Sequence, residues 1–223
     1  MGCMSGKRST AVVSGVLVLL MIVAGCGSDI LVPNSSATAP VPTGPAAPGD
    51  DPAAQLAALP VAPEGKMTGY SRDRFPHWSG QGDGCDTREV VLQRQGADVQ
   101  VGDSCKVTSG TWTSVYDGKV VKDAGELDID HTVALAEAWR SGADKWTDEQ
   151  REKFANDLGG LQLIAVTASS NRSKGDQDAA KWKPPVEAYW CTYARAVVSV
   201  KTLYSLTVDE AERDALAAML KTC

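Results

Sequence analysis

Beyond residue 65 the chain alternates between stretches of two hydrophobic periods. Arg88-Glu89-Val90-Val91-Leu92-Gln93-Arg94 spaces its apolar residues as a short helix does, with Asp86-Thr87 as a cap and Gly96 as a stop. Val99-Gln100-Val101 and Thr111-Trp112-Thr113-Ser114-Val115-Tyr116 alternate with period two. Asp117-Gly118 then predicts a two-residue hairpin turn into Lys119-Val120-Val121. Leu127-Asp128-Ile129-Asp130 predicts another short strand, with Leu127 and Ile129 toward a core and both aspartates on the opposite face. Helical spacing returns over Val133 to Arg140, with Gly142 beyond its end. Thr147-Asp148-Glu149-Gln150 has the form of a capping box and opens a helix to about Leu158. Leu161 to Val166 predicts a strand, Asn171 to Ala180 a partly helical segment, and Pro184-Pro185 the start of a long helix through Val200. Thr207-Val208-Asp209-Glu210 caps a last helix. The predicted class is α+β, a small antiparallel sheet with helices packed around it.

The first 65 residues follow other rules. Lys7 and Arg8 precede an apolar run from Ala11 to Ala24, which has the length of a signal peptide's core and is short for a membrane span. Residues 1–25 are therefore expected to be an export signal. Val23-Ala24-Gly25-Cys26 resembles a lipobox, which implies cleavage before Cys26 and acyl chains on its sulfur. Several such chains would hold a protein stably at a membrane. Residues 27–65 carry eight of the eleven prolines and too few large apolar side chains for a core of their own. Together with Cys26 they predict a lipidated, disordered tether over 26–65, with a reach on the order of 100 Å when extended. Residues 66–223 are enough for one domain with a sizeable core.

Charge and cysteine content narrow the picture. Removing residues 1–25 takes away Lys7 and Arg8 and no acid, so the net charge moves from −6 to −8. Such a chain is a poor non-specific binder of nucleic acid, and a site for phosphates would need a local basic patch or a bound cation. Four cysteines remain past Cys26: Cys85, Cys105, Cys191 and Cys223. In an exported domain an even number favours disulfides, and three pairings are open. The local ones, Cys85–Cys105 and Cys191–Cys223, are expected. No pair is spaced C-x-x-C, which argues against a thiolate zinc site.

Candidate chemistry centres on one of only two histidines. Asp128-Ile129-Asp130-His131 places a carboxylate beside an imidazole at a strand end, as a metal ligand beside a general base requires. Asn171-Arg172-Ser173-Lys174 adds a second oxygen ligand and a cation to face phosphate. The converging carboxylates repel one another, and a divalent cation would relieve that. Adjacent strand residues point to opposite faces, so for Asp130 and His131 to serve one site the strand must end between them. The pattern suggests a metal-dependent phosphodiester hydrolase. Plainer readings stand beside it: Asp-His pairs occur as surface or capping features, Lys174 as a solvated lysine, and Arg88 as the partner of Glu89 or Asp86. His77, in Phe75-Pro76-His77-Trp78, reads as structural.

These residues carry a family resemblance. Gly84-Cys85-Asp86-Thr87-Arg88, Asp128 to Leu135, Ala138 to Ala143, Asn156-Asp157-Leu158, Asn171 to Asp176 and Trp182-Lys183-Pro184-Pro185 together resemble secreted bacterial HNH endonucleases, related to the nuclease domain of GmrSD-type restriction enzymes. The resemblance implies a ββα-metal core of two strands and a helix around one divalent cation. It implies His131 as general base, Asp130 as metal ligand with Asp128 beside it, Asn156 fixing the loop that carries the base, and Asn171 as second ligand. Asn in that place gives an oxygen donor set, which favours Mg²⁺ or Mn²⁺. Lys174 or Arg88 would then stabilise developing negative charge. The expected function is a monomeric endonuclease acting on DNA or RNA outside the cytoplasm. It would be lipid-anchored at the outer face of the cytoplasmic membrane or secreted, with no protein partner inferred. The alternative is a non-catalytic surface lipoprotein that uses the same fold to bind an envelope partner.

Overall fold

A computed structural model describes residues 51–223. The export signal, the lipobox with Cys26 and most of the proline-rich stretch lie outside the described residues. Among those described, the elements run α1 (Pro52–Ala58), β1 (Gly80–Gly82), β2 (Cys85–Asp86), α2 (Thr87–Gln95), β3 (Ala97–Val101), β4 (Val107–Thr113), β5 (Val120–Asp123), β6 (Leu127–His131), α3 (Leu135–Arg140), α4 (Asp148–Ala155), β7 (Leu163–Thr167), α5 (Ala168–Lys174), α6 (Trp190–Leu203) and α7 (Glu210–Leu220). The class is α+β. The strands form three small antiparallel sheets rather than one: β1-β2, β3-β4-β5 and β6-β7.

Local chemistry places most helix starts. The Asp86 side chain accepts from Glu89 N and opens α2. Thr147 and Gln150 bond reciprocally and open α4, which ends at Ala155, three residues short of the expected Leu158. Asp209, not Thr207, caps α7 by accepting from Glu212 N. Gly96 ends α2 for a steric reason as well, since a Cβ there would lie 2.5 Å from Trp112 Nε1.

Four expectations are corrected. The helix expected from Pro184 begins at Trp190; the two prolines lie outside it, and Pro184 O accepts from Trp190 Nε1. The helix expected from Asn171 to Ala180 is Ala168–Lys174, stopped at Gly175, whose φ is +53°. The two-residue hairpin is instead a longer loop between β4 and β5. There Ser114 Oγ accepts from Thr167 N and Tyr116 is fully buried, so tertiary contacts override the turn signal. The segment 51–65 is not free tether. Leu56 and Leu59 are buried in the main core, Val61 bridges Val208, and Gly65 N donates to Arg140 O.

The β6-β7 ribbon separates two cores. Leu127, Ile129, Leu163 and Ala165 pack with Val91 and Leu92 of α2 and with Trp112. On the other side, Ile164 and Val166 join the larger cluster of Tyr116, Trp139, Phe154, Tyr193 and Val197. Disulfides join Cys85 to Cys105 and Cys191 to Cys223, the local pairings.

Candidate active site

The candidate residues sit on one strand–strand–helix unit. β6 and β7 pair in unbroken register from Leu127↔Thr167 to His131↔Leu163. Thr167 then caps α5 through Ser170 N, so the helix leaves β7 without a linker and lies over one face of β6. Asn171 and Lys174, one helical turn apart, match Asp128 and Asp130, two strand residues apart. Asn171 Nδ2 donates to Asp128 Oδ2 at 3.0 Å. Lys174 Nζ donates to Asp130 Oδ1 and Oδ2 at 2.9 and 2.8 Å, and to His131 O at 2.7 Å. The first pair is half-exposed and the second is buried.

This depth changes the role of three candidates. Lys174 is not a phosphate-facing cation, because all three of its N–H groups are used internally and the side chain is 0 % exposed. Asp130 is enclosed. Beyond Lys174 it accepts from Tyr116 OH at 2.6 Å, and burial together with this carboxylate pushes the Tyr116 phenol well above its usual pKa. Arg88 donates to Ala124 O and Leu127 O at 2.9 and 3.2 Å, so it fixes the entry to β6 and not Glu89 or Asp86.

His131 stands on the other face. The strand does not break before it, so alternation carries its ring away from Asp130, contrary to the expected geometry. Its Nε2 lies 2.9 Å from Ala155 O. A carbonyl only accepts, so Nε2 carries the proton and Nδ1 is left with a lone pair. Nδ1 makes no hydrogen bond to any described residue. Burial holds the imidazole far below its ordinary value, down to about 3. Arg72, Lys174 and His77 push the same way, against the Ala155 bond. The ring is therefore neutral at any physiological pH.

Trp78 closes this face. Its ring stacks on His131 with centroids 5.8 Å apart and planes at 27°. Its backbone is left-handed, with φ 62°, a conformation that costs a bulky residue energy and that its surroundings must impose. Asn156, at the end of α4, does so. Its Oδ1 accepts from Ser79 N and Thr87 Oγ1 at 2.9 and 2.7 Å, and its Nδ2 donates to Pro76 O and Glu152 O, both at 2.8 Å. All the hydrogen-bonding capacity of this side chain goes to the residues flanking Trp78, to Thr87 at the start of α2 and to its own helix. Trp78 was missed in the sequence; its signal is an aromatic run directly after a proline.

Two groups of oxygens converge as a cation site would require. Asp128 and Asn171 offer a carboxylate and an amide oxygen side by side, half-exposed, with Asp128 Oδ1 and Asn171 Oδ1 unpartnered among the described residues. That donor set fits Mg²⁺, which takes one or two protein oxygens and completes its shell with water and phosphate. Glu64, Glu137 and Asp178 also converge, but their oxygens already face Lys181, Arg140 and Lys201. Each of the three carboxylates is already paired with at least one of these cations, and Lys201 is shared with a fourth, Glu212, so the cluster is an ion-pair network and does not fit a metal.

The family model for the C-terminal domain of GmrSD restriction endonucleases matches residues 88–219, more than half of the chain. The chain belongs to this family. A match of 53 % identity over 186 residues, covering 83 % of this chain and 91 % of the other, is to an "Uncharacterized secreted protein" of the fungus Arthroderma benhamiae. The resemblance is therefore not confined to bacteria. No solved structure matches the chain.

Proposed function

We propose that the protein is a metal-dependent endonuclease of the HNH type, with His131 as general base. One observation carries this reading: a buried, neutral imidazole whose Nε2 is committed to Ala155 O and whose Nδ1 is free to take a proton from water. A general base must be unprotonated, and the imidazole meets that condition before substrate arrives. Asp128 and Asn171 would hold the divalent cation, Mg²⁺ or Mn²⁺. Such an ion neutralises a non-bridging phosphate oxygen and the leaving oxygen. Asp130, Lys174 and Tyr116 are assigned to support β6 from beneath. Among the described residues β6 pairs with β7 alone, so its other edge has no strand partner there. A phosphodiester crossing that edge would meet Asp128 and Asn171 on one side and His131 on the other. Trp78 and Asn156 act as positioning residues for the base.

Export is supported by the secreted relative and by two disulfides. An anchor at Cys26 rests on residues 23–26 alone, and a Cys26→Ser variant found in the medium with the wild type in membranes would support it. The test of the main reading is digestion of plasmid DNA and of RNA by the purified protein, with Mg²⁺ or Mn²⁺ and with chelator. Cleavage that needs the cation and is lost in His131→Ala is the expected result. Wild-type rates in His131→Ala would overturn it.

A further inference from the structure

A cleft of about 470 Å³ opens beside Trp78, on the side of the molecule formed by the β1-β2 hairpin and the start of α2. This lies within the roughly 300–1,000 Å³ typical of small-ligand sites. Its walls include Gly80, Gly82, Asp86, Glu89 and Lys106. Trp78 is shared: one part of its ring lies on His131 and another borders the cleft.

Two features of the wall say what it takes. The first is missing bulk. A Cβ built on Gly80 or Gly82 would meet nothing within 4 Å. Gly82 needs its glycine for a φ of +91°, but Gly80 has no such backbone requirement. Glycine weakens a strand, and where packing does not demand it, it leaves room for another molecule against the backbone. The second feature is charge. Asp86 Oδ1 accepts from Glu89 N, and Glu89 Oε2 accepts from Val107 N. Asp86 Oδ2 and Glu89 Oε1 have no hydrogen-bond partner among the described residues. Two carboxylates against one lysine repel a phosphate. They attract a neutral group that donates N–H bonds, as a carboxylate does with the exocyclic amine of a base.

We propose that this cleft is the subsite for one unpaired nucleobase of the substrate strand, a base bearing an exocyclic amine, seated beside Trp78 while the phosphodiester backbone lies outside. The assignment rests on the nuclease reading and deepens it. A base inserted here has left the stack of its own strand to present its amine to Asp86 and Glu89, so it cannot at the same time be paired with a complementary strand. The substrate is then single-stranded at that nucleotide, and cytosine, adenine or guanine is preferred over thymine or uracil.

The test uses the full chain in chelator, so that no strand is cut, and fluorescein-labelled octanucleotides read by anisotropy. Oligo-dC is expected to bind at least about fivefold more tightly than oligo-dT, the low end for one well-made base contact. An abasic octamer should bind no better than oligo-dT, and pairing oligo-dC with oligo-dG should abolish its advantage. Gly80→Val fills the cleft with a strand-compatible residue and should bring oligo-dC down to the oligo-dT level. Asp86→Asn keeps a good helix cap but removes the charge, and should do the same in part. The variants are checked for folding by circular dichroism; if Gly80→Val does not fold, Gly80→Ala and Asp86→Asn decide. Equal binding of oligo-dC, oligo-dT and the abasic strand by the wild type would overturn the proposal, as would a dC preference that survives Gly80→Val. Hydrolysis of bis(p-nitrophenyl) phosphate with added Mn²⁺, which involves no base, reports separately on the nuclease reading. If that activity is present and base preference absent, only the cleft assignment fails.

Discussion

Asp130 and His131 are neighbours in the chain and equally buried, each 4 % exposed, yet the fold treats them in opposite ways. Asp130 points to the face covered by α5, where Lys174 supplies a countercharge and Tyr116 a third hydrogen bond. His131 points to the face covered by Trp78, where the Ala155 carbonyl accepts the ring N–H and no described carboxylate pairs with the imidazole. Burial alone therefore does not decide what a side chain does; what is buried with it does. The carboxylate is enclosed against a lysine and supports the strand, whereas the imidazole is enclosed as a neutral ring.

Single substitutions should separate the two faces. The largest effect is expected on the histidine side and in rate. His131→Ala should lower nuclease activity by ~10²–10⁴-fold while the circular dichroism spectrum stays that of a folded protein, although the cavity left by the buried ring lowers the thermal midpoint. Substitution on the aspartate side should fall mainly on stability. Lys174→Met leaves a buried carboxylate unpaired and should lower unfolding stability by about 3–5 kcal/mol in denaturant titration, whereas Asp130→Leu with Lys174→Met should recover much of the loss. A wild-type denaturation curve for Lys174→Met would abolish the contrast drawn between the faces.

The pH dependence follows from the histidine face. The folded imidazole pKa is depressed to about 3 from an ordinary value of 6.5, so between those values the unfolded chain binds the extra proton. His131 thus contributes stability in full above pH ~6.5, and that contribution is lost as pH falls toward 3. Between pH 6.5 and 4.5 the loss should be on the order of 2 kcal/mol, and chemical denaturation of His131→Phe should show a flatter dependence over that range. The smallest effects fall on the outer pair. Asp128→Ala should weaken Mn²⁺ binding by about tenfold in calorimetry, a single ligand's share of ~1.4 kcal/mol. Asn171→Ala should change stability by less than about 1 kcal/mol, because its side chain is half-exposed.

What the sequence disclosed was mostly local. The capping box at Thr147 and Gln150, the Asp86 cap and both disulfides follow from spacings within a few turns of chain or from the count of exported cysteines. Asn171 and Lys174 were readable as one helix face, since they are three residues apart. That one meets solvent and the other is sealed depends on Tyr116, brought in from a loop whose own turn signal pointed elsewhere. The expected break before His131 failed because β7 supplies a pairing partner to the last residue, Leu163. Residues 51–65 looked like tether because two leucines among alanines and prolines make no periodic pattern; their burial is decided by the helices they meet. Asn156 was visible as a helix end, but its bonds to Pro76, Ser79 and Thr87 join parts of the chain 69 to 80 residues apart.

The Cys85–Cys105 bond ties a wall of the Trp78 cleft to the loop before β4. Without it, the segment between them regains the freedom of an unclosed loop, a difference of roughly 3 kcal/mol in the chain-entropy model. Thiols stay reduced in the cytosol and oxidise after export. With the two thiols reduced, that wall loses its crosslink to the loop, so the redox surroundings set how firmly the cleft is shaped, while Asp128, His131 and Asn171 all stand outside the crosslinked segment.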